Sequence, residues 1–64
     1  MSDDIIENAV ILYQDYSGNW ESVEHLGRST SGEVTRSMQS VQNRLNGKRV
    51  RCIDGDSGRL VDIL

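Results

Sequence analysis

One cysteine, one tryptophan, two tyrosines and no phenylalanine leave this sequence few of the usual means of stabilising a small fold. Cys52 alone can form neither an internal disulfide nor a metal site, which excludes a disulfide-stapled secreted mini-protein. No apolar run approaches the roughly 18 residues of a membrane span. The opening Met1-Ser2-Asp3-Asp4 is acidic where a secretory leader would be basic. These absences point to a cytoplasmic protein with no membrane partner, held together by packing. His25 and Cys52 are the only soft metal ligands, fewer than the three or four of a zinc site, so neither a metal nor another cofactor is expected.

Lys and Arg are absent from residues 1 to 27, which carry Asp3, Asp4, Glu7, Asp15, Glu21 and Glu24. All seven Lys and Arg fall in residues 28 to 64, so a net charge of −3 conceals an acidic half and a basic half. Such a chain can attract its own halves, another copy or a charged partner. The 64 residues make one domain, 1 to 64, with room for a single small core. Burial is expected to contribute on the order of 90 kcal/mol against on the order of 95 kcal/mol of ordering entropy. A margin so close to zero points to extra burial against a second copy, a homodimer, or a partner.

Residues 9 to 13, Ala-Val-Ile-Leu-Tyr, then Ser17-Gly18-Asn19, then residues 20 to 26 read as strand, turn, strand. A three-residue loop would set Tyr16 opposite Trp20, Tyr13 opposite Val23 and Val10 opposite Leu26. Thr30 and Glu33 have capping-box spacing, and Val34, Met38, Val41 and Leu45 follow at i, i+4, i+7 and i+11. A helix over 31 to 46 is predicted, ended by Asn46-Gly47 in a left-handed cap. Lys48 to Asp54, the turn Gly55-Asp56-Ser57-Gly58, and Arg59 to Leu64 read as a second hairpin. Pairing Asp54 with Arg59 would oppose Ile53 to Leu60, Cys52 to Val61, Arg51 to Asp62 and Val50 to Ile63. Val50, Cys52, Val61 and Ile63 would then face the helix, with Ile53, Leu60 and Leu64 opposite, among Arg49 and Arg51. The expected fold is α+β, ββαββ, an antiparallel sheet with one helix packed on one face. Residues 1 to 8 read either as a short helix capped by Ser2 or as a flexible arm. One helix covers one sheet face, yet the Val10 to Tyr13 run is apolar on both faces and the C-terminal hairpin has apolar residues on both, so something else must cover the second.

No catalytic set assembles from these residues, and no enzyme activity is expected. Gly55-Asp56-Ser57-Gly58 spells the nucleophile motif of chymotrypsin-like proteases, but the chain is several-fold too short for that fold and Arg59 stands where the motif continues with glycine. Asp54-Gly-Asp56-Ser-Gly58 opens like a calcium loop but has Gly at the fifth position, and the bidentate Glu would fall beyond Leu64. Both read as a hairpin turn. Gly27 to Gly32 lacks the spacing of either a phosphate loop or a dinucleotide loop.

Two surfaces stand out by residue type. Asp15, Glu21 and Glu24 surround Tyr13, Tyr16 and Trp20, a combination suited to a basic protein partner because aromatic anchors dominate interface energies and carboxylates steer association. Arg36, Arg44, Lys48, Arg49 and Arg51 form the alternative, a nucleic-acid surface in the basic half. A very short acidic chain of one arm, one hairpin and one helix resembles in organisation the phage-encoded inhibitors of host enzymes. Glu21-Ser22-Val23 is similar to the Glu-Ser-Ile strand with which glycosylase inhibitors enter the DNA groove. The resemblance implies a phage or mobile-element regulator that binds a host protein.

Overall fold

The computed structural model describes residues 4–64 and shows an α+β domain of order ββαββ. Strands β1 (Ile5–Gln14) and β2 (Trp20–Thr30) precede helix α1 (Ser31–Arg44), and β3 (Val50–Asp54) and β4 (Leu60–Ile63) follow it. The strands form one four-stranded antiparallel sheet in the order β2-β1-β3-β4. β2 and β3 therefore run parallel to one another on either side of β1, a relation that needs a crossover, and α1 supplies it.

The helix begins where its residue types dictate. The Thr30 hydroxyl accepts from the Glu33 N–H at 3.2 Å while the Glu33 carboxylate accepts from the Thr30 N–H at 3.0 Å, which completes the capping box. At the other end Leu45 is the cap residue, and Asn46 (φ 57°) and Gly47 (φ 79°) turn left-handed, with the Gly47 N–H donating to the Gln42 carbonyl at 2.9 Å. That six-to-one bond satisfies a carbonyl the helix leaves orphaned. Val34, Met38 and Val41 are buried as their spacing predicts, and they pack with Ile6, Ala9, Ile11, Val50 and Cys52 in a single core. Tyr13, Leu26, Leu45 and Val61 close its rim. No helix of the described residues is long and apolar enough to cross a membrane.

Three local expectations change, each at an irregularity in the ladder. Residues 5–8 are neither helix nor arm but the first part of β1, pairing Ile5 with Thr30 and Ile6 with Ser29. The rest of that expectation, on residues 1–3, lies outside the described residues. The register shifts between Ile6 and Ala9, so Glu7 and Asn8 break the alternation and Ile6 and Ala9 enter the core three residues apart. In the first hairpin Tyr13 pairs with Glu21 rather than Val23, Trp20 with Gln14 rather than Tyr16, and Val10 with His25 rather than Leu26. The cause is a five-residue loop, 15–19, in place of three, with a second shift around Val23. The second hairpin pairs Ile53 with Leu60 as expected, but the shift at Val61 opposes Cys52 to Asp62 and Arg51 to Ile63. Ile63 consequently leaves the helix side and is 43% exposed.

Replacing Thr30 by Ala removes the hydroxyl half of the cap while leaving the backbone N–H that donates to Glu33, and is expected to lower stability by about 1 kcal/mol in urea unfolding. Glu33 accepts from the Thr30 N–H and hydroxyl, which holds its carboxyl below the ordinary 4.5. Because the folded value is the lower one, this stabilisation is present above the unfolded value and is lost as pH falls through the folded one. Glu33→Gln should flatten the decline of the thermal midpoint below pH 4.5 relative to the parent chain.

Candidate interaction surface

The two faces of the sheet differ in kind. Ala9, Ile11 and Tyr13 of β1, with Val50 and Cys52 of β3, face α1. Strand alternation sends their neighbours to the opposite face, in three successive rows across the sheet. His25, Val10, Ile53 and Leu60 form one row, and Ser22, Leu12, Arg51 and Ile63 the next. The third contains Trp20, Gln14 and Arg49, whose carbonyl accepts from the Gln14 N–H at 3.0 Å. No element of residues 4–64 packs over these rows, and Leu60 at 52% and Ile63 at 43% stand exposed there.

Val10 is an exception, being 7% exposed. The turn of the second hairpin folds over it, and the Gly55 N–H donates to the Asn8 carbonyl at 2.7 Å. A Cβ at Gly55 would come within 2.7 Å of Asn8 Nδ2 and 3.0 Å of Val10 Cγ2, so a larger residue there would have to displace the Asn8 amide. Asp56 Oδ1 then accepts from Asn8 Nδ2 at 3.2 Å. Ser57 of the protease-like motif uses its Oγ to accept from the Arg59 N–H at 3.2 Å, and Asp54 Oδ1 accepts from the Asp56 N–H at 2.9 Å. Those are the bonds of a turn.

The centre of the open face is a contact between the two hairpins. The Arg51 guanidinium lies 4.2 Å from the Trp20 ring centroid and so spans from β3 to β2 across the intervening β1. Its Nε is buried with no hydrogen-bond partner among the described residues. A second such contact lies at the end of the hairpin, where Lys48 Nζ is 3.6 Å from the centroid of Tyr16, a residue 96% exposed.

The acidic and aromatic residues of the first hairpin are divided among three settings. Tyr13, Glu21 and Glu24 belong to the helix side, since Tyr13 packs on the core and pairs with Glu21, and the buried Ile11 pairs with Glu24. Trp20 is on the open face. Asp15 and Tyr16 are in the loop, where Asp15 Oδ1 accepts from the Ser17 and Asn19 N–H groups at 2.9 Å each and so holds the turn. The basic residues divide as well: Arg36 and Arg44 are exposed on α1, whereas Lys48, Arg49 and Arg51 gather beside Tyr16 and Trp20. Leu12 and Ile63 belong to the surface without having been singled out for it. Leu12 sat in a run read as apolar on both faces, and Ile63 needed the shift at Val61.

A cleft of about 430 Å³ lies between the start of α1 and β4, with Ile6, Val34 and Val61 as its apolar wall, Leu60 bordering it at the sheet edge, and Asp54, Arg59 and Asp62 at its rim. Asp62 Oδ1 accepts from the Ile63 N–H at 2.8 Å, and Asp54 is held in the turn. Among the described residues no group of three or more His, Cys, Asp or Glu is arranged to hold a metal ion. Cys52 is fully buried, and burial pushes its thiol up, away from the reactive thiolate. Comparison with family models finds no match, and comparisons with curated proteins and with solved structures find none either.

Arg51→Ala should leave the domain folded, cost on the order of 1 kcal/mol through loss of the ring contact, and change the near-ultraviolet circular dichroism of Trp20. Iodoacetamide should leave Cys52 unmodified in the native protein and label it at the rate of global unfolding; rapid native labelling would show the core open at β3.

Proposed function

We propose that this chain is a non-catalytic interaction module that recognises a protein partner with the uncovered face of its sheet, Trp20 and Arg51 at its centre. The observation that carries the reading is the asymmetry of the sheet. α1 covers one face, while the other carries the exposed Leu60 and Ile63 and the half-buried Leu12, Trp20 and Ile53 around an arginine. Contiguous apolar surface rimmed by polar groups marks interaction sites, and Trp and Arg are the residue types that dominate binding energies. The tie between Trp20 and Arg51 holds both side chains in place before any partner arrives, which lowers the ordering cost of association. The organisational resemblance to phage inhibitors directs the choice of partner to a host enzyme in the cytoplasm, with this chain as its regulator.

A second reading takes the gathering of Lys48, Arg49 and Arg51 beside Tyr16 and Trp20 as a nucleic-acid surface. Stacking on aromatics with cations along the backbone is how single strands are held without sequence preference. The net charge of −3 opposes it, as do the aliphatic side chains that share the face.

Affinity capture from host lysate, with and without nuclease, separates these readings. Capture that survives nuclease and is lost with Leu60→Ser and Ile63→Ser together supports the protein-binding face. Trp20→Ala should weaken that capture by about 2 kcal/mol or more. Capture unchanged in a folded Leu60→Ser, Ile63→Ser variant would remove the face from consideration. Nuclease-sensitive capture that falls steeply with salt would favour the second reading.

A further inference from the structure

The charges on the open face select among its possible occupants. Its three rows contain His25, Arg49 and Arg51 and no acid. Glu7 and Asp56 lie beyond the Val10 end of those rows, where Arg28 Nε is 3.9 Å from Glu7 and Asn8 donates to Asp56. Among the described residues no carboxylate stands within 4.0 Å of Arg51, whose Nε is buried without an acceptor. Its charge is met within the chain by the Trp20 ring. A guanidinium held in this way, among aliphatic side chains, is pre-set for a bidentate carboxylate.

We infer that the occupant of this face is an acidic, apolar segment of a protein partner, one carboxylate pairing with Arg51 while aliphatic side chains cover Leu60 and Ile63. The inference rests on the open face being the recognition surface. A second copy laid face to face would oppose two acid-free cationic rows. A nucleic acid would bring phosphates to Arg49 and Arg51 but only bases to Leu60 and Ile63, which have no π-face to stack on.

Selection from a displayed random-peptide library on the immobilised full chain tests this directly. Recovered peptides should combine Asp or Glu with Leu, Ile or Phe. Changing their acid to the amide should weaken binding to the parent chain about tenfold or more, and binding to Arg51→Gln much less. Arg51→Lys should keep part of the preference. If Arg51→Gln does not fold, the acid-to-amide change read on the parent chain still decides. Amide shift changes should centre on Leu12, Ile53, Leu60 and Ile63. Peptides that shift those residues but carry no acid would overturn the inference and leave the face standing as a binding surface. Shifts on α1 instead, or no enrichment at all, would overturn both. Tighter binding of oligothymidylate, or a doubled mass by sedimentation with the same shifts, would replace the acidic segment by a nucleic acid or by a second copy.

Discussion

Pairing of β1 along both of its edges is the constraint on which the other features of this domain depend. β2 takes one edge through the first hairpin and β3 takes the other from Ala9 to Tyr13, so the centre of β1 has its backbone groups met from both sides and supplies the buried Ala9 and Ile11 to the core. Because the second partner comes from the far end of the sequence, the chain must cross over the sheet to deliver it. α1 makes that crossing and in doing so covers one face only. The fully buried Ile11 and Met38 meet in the layer between.

That arrangement also creates the surface. With one helix for a four-stranded sheet, the opposite face is left to solvent, and its centre lies over β1. Trp20 and Arg51 come from strands that never touch, and they meet there because β1 separates them by a single strand width on each side. The second-hairpin turn reaches the same face at Val10, through a glycine that no larger residue can replace without displacing Asn8 or Val10. The open face thus draws on both hairpins.

Strand irregularities decide which side chains take part. A side-chain period of two means that each extra residue transfers everything beyond it to the other face. At Val61 the shift puts Ile63 beside Arg51 instead of beneath the helix. Near Glu7 and Asn8 it lets Ile6 join Ala9 in the core, so the strand begins before the apolar run from which it would be recognised. Alternation alone sets Trp20 and Glu21 on opposite faces, and the shift around Val23 moves Glu24 from Trp20's side to that of Glu21.

The element types, their order and the helix with both of its caps are determined by the sequence alone, because capping, turn chemistry and the spacing of Val34, Met38 and Val41 act over a few residues. The apolar run Val10 to Tyr13 likewise marks a strand with apolar side chains on both faces. Tertiary structure alone decided that β1 lies between β2 and β3, where the ladder slips, and that Arg51 reaches Trp20. These depend on pairings between residues some forty positions apart, such as Val10 with Ile53, and no local periodicity encodes which strand edges will meet.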